Sequence, residues 1–290
     1  MKKLLLIDSH ALIHRMYHAM APLTTTSGEP VGALYGLSQL LLRILTETVK
    51  PDYVAACFDR PEPTFRKESF PAYKAHREET PSDLVSQLIR SREVFAQFKI
   101  KMFELPGFEA DDLIATLATK LHAEKDIQVT ILTGDRDLLQ LVEDDHIVVE
   151  LFKNGGGETT HMNEAAVIEK YGLKPAQIID LKGLIGDPSD NIPGIHGVGE
   201  KTATPLLQEF GTVEEVFENL VIVPEKTAKK FEGQRDIALQ CKKLATLDRA
   251  APIFLDSLED LRALPIDVPA LTTYFESLGF VSLIRRLSGE

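Results

Sequence analysis

The sequence predicts an α/β fold, a mostly parallel central sheet flanked by helices, followed by a smaller helical domain. Three observations lead there. Short apolar runs alternate with longer amphipathic ones through the first half, strand-like runs stop near residue 160, and almost everything after that has helical periodicity. At 290 residues the chain has room for one large domain or two modest ones. Its composition, 44% hydrophobic and 26% charged, excludes a wholly disordered chain, a collagen-like repeat and a polytopic membrane protein.

Taken in order, Lys3–Ile7 is a first strand, because the apolar run stops at Asp8, too short for a signal peptide. Tyr53–Phe58, Gln128–Leu132 and His146–Glu150 are further strands: short, continuous and apolar, as expected of strands covered on both faces. Lys101–Leu105 is a shorter strand-like run. Gly32–Val49, Ser82–Phe98 and Ala110–His122 are helices; in the last, Leu113, Ile114, Leu117, Ala118 and Leu121 form one apolar stripe. Asn154–Glu158 is a glycine-rich turn joining two strands of a hairpin. Helices follow over Asn163–Tyr171, Pro175–Ile185, Glu200–Glu209, Val213–Asn219, Glu225–Leu247 and Leu271–Leu287, with a less regular stretch at Ala250–Ala270. The expected division is a core over residues 1–162 and a helical unit over 163–290. Cys57 and Cys241 form no ligand pattern, so a reduced, cytoplasmic protein is expected, with Cys57 in the core.

The net charge of −12 argues against a nucleic-acid partner, but its distribution does not. Residues 103–200 carry nineteen acidic and seven basic side chains, whereas residues 60–102 carry nine basic and six acidic. An acidic pocket next to a basic segment fits this better than an evenly solvated acidic surface.

In open parallel sheets, functional groups gather at the carboxyl ends of strands, and here those ends are acidic. Asp8 and Asp59 follow the first two strands directly; Asp135 and Asp137 follow the strand ending near Leu132. Glu109, Asp111 and Asp112 open a helix, and Asp187 and Asp190 lie where the helical half begins. Any one of them is ordinary turn or N-cap chemistry. Gathered on one edge, they could not all stay ionised without a compensating charge. Hard oxygen donors without a nearby His/Cys set favour Mg2+ or Mn2+, and two such ions suit in-line phosphoryl displacement.

Two further segments stand out. Arg66, Lys67, Lys74 and Arg77 are interleaved with Phe65, Phe70 and Tyr73, either a solvated loop with buried rings or a surface for phosphates and unpaired bases. Gly194, Gly197 and Gly199, followed by Lys201 and Thr202, form either an ordinary turn or an N–H cradle for a phosphate at a helix start. His10, His14 and His18 recur every four residues, but no acid at matching spacing makes a zinc face of them.

The segments FDRPEPTFRKESFPAYKAHR (58–77), PGFEADD (106–112), LTGDRDLLQLV (132–142) and GDPSDNIPGIHGVGEKTA (186–203) resemble the 5′-nuclease domain of bacterial DNA polymerase I, within the flap endonuclease family. The likeness runs in order along nearly the whole chain. It implies a PIN-like, resolvase-like core with an arch over about residues 66–95, and a helix–hairpin–helix DNA-binding motif with its glycine hairpin at 192–203. It implies a first metal site of Asp8, Asp59, Glu109 and Asp111 with Asp112 close by, and a second of Asp135, Asp137, Asp187 and Asp190. Two Mg2+ ions would fill them, with Mn2+ able to substitute, and a K+ ion is admitted at the glycine hairpin. Arg66, Lys74, Arg77 and Arg15 would contact the strand, Lys74 and Arg77 at the scissile phosphate, while Tyr73 stacks on a nucleotide. The implied activity is 5′–3′ exonuclease and 5′-flap endonuclease on branched, nicked, flapped or RNA-primed DNA, in replication and repair. No membrane is involved, and the chain is either linked to a DNA polymerase or cooperates with one. Two rivals remain: a single-strand ribonuclease on a similar acidic core, and a non-catalytic DNA-junction binder.

Overall fold

A computed structural model of the chain describes residues 1–122, 127–153 and 158–289. Strand β1 (Lys2–Asp8) leads through α1 (Ser9–Ala19) and α2 (Gly32–Arg43) to β2 (Tyr53–Phe58). Next come α3 (Phe65–Ser69), α4 (Ser82–Gln97) and β3 (Lys101–Glu104), then α5 (Ala110–His122) and β4 (Ile127–Thr133). A 3-10 turn (Asp137–Leu141) precedes β5 (Ile147–Phe152) and β6 (Thr159–Met162). The sheet order is β3-β2-β1-β4-β5-β6. The first five strands are parallel and β6 is antiparallel to β5, so a hairpin joins them as expected, although residues 154–157 of its turn lie outside the described residues. Strand order reverses between β1 and β4, the place where such sheets open a crevice.

Strand alternation divides the core into two layers. Leu4, Leu6, Ala55, Cys57, Val129 and Ile131 face α5. Leu5, Ile7, Val54, Ala56 and Phe58 face α1, α2 and α4. β1 from Leu4 to Ile7 and β2 therefore read as unbroken apolar runs, whereas Gln128 and Thr130 interrupt β4.

The helical part comprises α6 (Glu164–Tyr171), α7 (Ile178–Ile185), α8 (Glu200–Phe210), α9 (Val213–Glu218), α10 (Glu225–Phe231) and α11 (Arg235–Ala245), with α12 (Val268–Leu278) and α13 (Val281–Ser288) closing the chain. Leu181, Leu184, Ile195, Leu207, Val213, Val216, Phe231 and Ala238 form its own core. The expected helix over Glu225–Leu247 is broken where Gly233 adopts φ +69°, and that over Leu271–Leu287 where Gly279 adopts φ +73°. Helix α2 runs on only as a π turn, Ile44–Thr48. Helix α1 was not among the expected elements.

Two further differences matter for the site. The tail does not stay with the helical unit: Leu247, Ala251 and Leu261 pack on the α5 layer, and Leu271, Phe275, Phe280 and Leu283 on the opposite one. The second half of the expected arch, α4, is an ordinary crossover helix with Leu84, Val94 and Phe95 in the core. What overhangs the sheet edge is the stretch carrying Lys74 and Arg77, which line the crevice.

Candidate active site

The crevice at the sheet's carboxyl edge opens into a cavity of about 370 Å3, lined by Asp8, Asp59, Glu109, Asp111 and Asp135 with His10, His14, Arg15, Lys74 and Arg77. A second cavity of about 580 Å3 adjoins it through Arg77, Gly134 and Asp135, and is bordered by Asp137, Asp187 and Lys182. Each acid is delivered by a local backbone event. Asp8 ends β1 and caps α1, accepting Ala11 N–H at 3.0 Å and the Thr133 hydroxyl at 2.7 Å. Asp59 follows β2 and accepts Ala110 N–H at 2.7 Å, at the positive end of α5. Asp135 is held between the Thr133 hydroxyl and Asp137 N–H, each at 2.8 Å.

Crowding shows in the acidities. Burial above all, with the Asp59 and Asp135 charges, pushes Asp8 up to about 7 against the pull of its Thr133 hydrogen bond. Burial and then Asp135, Asp8 and Asp59 push Asp111 well above the carboxylate range. Burial lowers His10 and His14 below the ordinary imidazole value. Sequence patterning set these histidines aside, yet His10 Nδ1 accepts Asp59 N–H at 3.1 Å and both rings line the cavity.

Three expected assignments are corrected. Asp112 faces away from the cavity: fully buried, it forms a fork-to-fork ion pair with Arg66 at 2.7 and 2.8 Å. Arg66, in turn, is 1% exposed and no surface for DNA; burial works against its charge, and Asp112 outweighs it. Tyr73 has no open ring face for a base. It is packed against Ile192, Cys241 and Leu244, with its hydroxyl 3.0 Å from both Glu109 and Asp190. Adjacent helical residues point about 100° apart, so Asp111 reaches the crevice while Asp112 reaches the interior.

Other overhang cations stay at the site. Lys74 Nζ lies 3.0 Å from Glu109; burial disfavours its charge, but Glu109 and Asp190 outweigh that and raise its basicity. Arg77 donates to Asp190 at 2.8 Å and is half exposed. Arg15 lies over the Phe152 ring at 5.1 Å. Lys182, which the sequence did not single out, sits on α7 between Asp137 and Asp187, 2.5 Å from the latter. Burial would raise Asp187, but Lys182 and Ser189 hold it below its ordinary value.

The glycine hairpin docks on the end of α7, where Ile195 N–H meets the Leu184 carbonyl at 2.8 Å. Gly194 has φ +66°, and a Cβ there would fall 2.2 Å from Gly186 N. Gly197 also needs the left-handed region, while Gly199 caps α8 and leaves Lys201 and Thr202 on its first turn. The Gly197 carbonyl accepts Lys230 Nζ at 2.8 Å.

Comparisons with known proteins agree with this architecture. Family models described as the 5′-3′ exonuclease N-terminal resolvase-like domain and its C-terminal SAM fold match residues 3–172 and 173–269. The chain belongs to the 5′-3′ exonuclease family. It is 41% identical over 287 residues to DNA polymerase I of Bacillus caldotenax and 39% identical over 289 residues to that of Thermus thermophilus. These alignments take in 99% and 97% of this chain but 32% of each relative's length. It thus spans about a third of those polymerases. Among solved structures, the T5 5′-exonuclease with bound divalent metal ions superposes with a TM-score of 0.69 at 22% identity, over 85% of this chain and 90% of that one. The catalytic core of Rad2 in complex with DNA superposes with a TM-score of 0.62 at 16% identity, over 96% and 87%. These structural likenesses establish the shared fold.

In this chain the donor set fits hard divalent cations: five carboxylates, of Asp8, Asp59, Glu109, Asp111 and Asp135, outnumber the two imidazoles in the cavity, and they are so crowded that Asp8 and Asp111 resist ionisation. Among the described residues no three His, Cys, Asp or Glu side chains already close around a common point. Their oxygens are turned instead to Lys74, Lys182 and neighbouring N–H and hydroxyl groups, so an entering cation competes with two ammonium groups for them. Among the described residues, no helix is long and apolar enough to cross a membrane.

Proposed function

We propose that the chain is a Mg2+-dependent, structure-selective 5′-nuclease that cuts DNA where a single-stranded 5′ end leaves a duplex. The observation that carries this is the juxtaposition of the acidic crevice with the Lys74–Arg77 overhang, one to hold cations and the other to hold phosphate. Asp8, Asp59, Glu109 and Asp111 would hold one ion, and Asp135, Asp137, Asp187 and Asp190 a second; Mn2+ would serve in place of Mg2+. Bound there, the ions would supply a nucleophilic water at neutral pH and neutralise charge developing on the phosphate. Lys74 and Arg77 would orient the scissile phosphate from above, with Arg15 holding a neighbouring one. The hairpin N–H groups, Lys201 and Thr202 would grip duplex backbone without reading sequence. A K+ ion at the hairpin would have to displace Lys230 from the Gly197 carbonyl.

Nicked, flapped and RNA-primed DNA are the substrates proposed, in bacterial cytoplasm, during primer removal and repair. The likeness to DNA polymerase I supports action beside a polymerase, linked or separate. A single-strand ribonuclease is less well supported, because the overhang and the hairpin both suit a duplex-to-strand junction. The test is a fluorescent 5′-flap duplex incubated with and without Mg2+, with single strand and blunt duplex alongside. Cleavage at the junction only with metal is expected. Binding without cleavage in both Mg2+ and Mn2+ would instead make the chain a junction binder.

A further inference from the structure

The segment leaving α11, residues 244–248, is gripped alternately from two sides. Arg66 Nε and Nη2 donate to the Leu244 and Thr246 carbonyls at 2.9 Å, and Asp248 N–H donates to Asp112 at 2.8 Å. The intervening residues turn to Gln140: its amide donates to the Ala245 carbonyl at 3.0 Å and accepts Leu247 N–H at 3.0 Å. Both anchors reach on to the site. Asp112 accepts Glu109 N–H at 3.1 Å, fixing the first turn of α5, and Arg66 Nη1 lies 3.5 Å from the Glu109 carboxylate. Gln140 donates to the Asp137 carbonyl at 2.9 Å, fixing the turn that follows β4. All three side chains are buried, Gln140 at 5% exposure.

We propose that Arg66, Asp112 and Gln140 are positioning residues that, through the 244–248 strap, set the spacing between the Glu109/Asp111 and Asp137 carboxylates. None of them touches substrate or cation. Stability alone is a poor reason for such an ion pair, since apolar replacements of buried pairs are often neutral or better. What an apolar replacement lacks is direction: five hydrogen bonds to alternating backbone groups fix both the register and the lateral position of the strap. That strap also continues from α11, which packs on α7, where Lys182 stands between Asp137 and Asp187. The inference rests on the metal-site reading above.

The experiment compares Asp112→Asn, Arg66→Lys, Gln140→Met and Asp112→Asn with Gln140→Met, alongside Asp111→Ala. Three quantities are read: the Mg2+ midpoint and KM for cleavage of a 5′-flap duplex, Mn2+ binding by calorimetry, and affinity for the same DNA in EDTA at several salt concentrations. We expect metal affinity to weaken 10–100-fold, the range typical of lost outer partners of ligands. DNA affinity in EDTA should stay within about twofold of the parent with an unchanged salt slope. Asp112→Asn and Gln140→Met should couple, the double being less than the product of the two, because one strap serves both.

An Arg66 contact with phosphate would instead weaken DNA binding in EDTA and lower the salt slope by about one, which overturns the inference. So does an unchanged Mg2+ midpoint in folded Asp112→Asn and Gln140→Met. If the single Arg66 and Asp112 variants do not fold, Arg66→Met with Asp112→Leu restores packing without direction; wild-type metal affinity in that protein overturns the inference, and weakened affinity supports it. Asp111→Ala separates the two layers of reasoning: if it leaves metal affinity intact, the metal-site reading has failed rather than the strap.

Discussion

Replacing Asp8 by asparagine should stabilise the metal-free protein above pH 7 while weakening its response to divalent ions. The Asp8 carboxyl is 4% exposed and is pushed from 3.8 to about 7, chiefly by burial. At about 1.4 kcal/mol per pH unit, that shift is a ceiling of about 4 kcal/mol. Because the folded value lies above the unfolded one, the folded state binds the extra proton. Stability therefore falls as pH rises from about 4 to about 7 and then levels, the reverse of an ion-paired carboxylate. Asparagine carries no charge to desolvate, and it keeps an acceptor for Ala11 N–H and a partner for the Thr133 hydroxyl. Thermal melts of both proteins in EDTA from pH 5 to 8.5 should show the variant gaining about 2–3 kcal/mol on the parent across that range, or roughly 4–10 °C. Added Mg2+ should then raise the parent's melting temperature more than the variant's, since the ion offsets a repulsion the variant lacks. A gap that does not change with pH, or an asparagine variant less stable throughout, would refute the burial reasoning.

The other side chains give equally specific expectations. Gly194→Ala forces a left-handed alanine and puts its Cβ 2.2 Å from Gly186 N and 2.3 Å from Ile185 C, so about 2–5 kcal/mol should be lost in denaturant melts. Gly199→Ala has no atom within 4 Å of the new Cβ and should cost under about 1 kcal/mol; equal losses at both glycines would contradict the close approach. Lys182→Met leaves Asp137 and Asp187 facing each other uncompensated. Its metal-free melting temperature should drop by the equivalent of up to about 3 kcal/mol, with a larger rescue by Mg2+ than in the parent. Tyr73→Phe keeps the ring and removes the proton shared between Glu109 and Asp190, at a cost of about 1–3 kcal/mol. If the ring stacked on DNA, that variant would retain full stability and Tyr73→Ala would instead lose single-strand affinity.

What the sequence made legible, and what it hid, follows from the range of the forces involved. Strands β1, β2 and β4 and helix α5 are written in local pattern, because burial on both faces leaves β1 and β2 unbroken apolar runs and β4 one broken only at Gln128 and Thr130. The acids are legible for a related reason: a parallel sheet brings its strand ends together, so the position of Asp8, Asp59 and Asp135 follows once the strands are known. Glycines 233 and 279 broke two expected helices because a glycine in a helical run is tolerated or terminal according to its φ, which the run does not reveal. Direction was hidden more deeply. A motif places a charge at the site without saying which way its side chain turns, and Asp112 beside Asp111 turns inward to meet Arg66, 46 residues away in sequence. Lys182 was invisible because, besides Asp187 five residues on, the partner that draws it into the site is Asp137, 45 residues off on the far side of the domain junction. In both cases a residue's role is set by a long-range partner that neutralises it. The acidic crevice is therefore better understood as a balanced set of charges than as a row of ligands: Lys74 and Lys182 already compensate its outer carboxylates, whereas Asp8 and Asp111, pushed up by burial and by one another, are left with no cationic side chain in direct contact among the described ion pairs. On the proposed metal-site reading, that imbalance would make the inner edge the place where a divalent cation gains most.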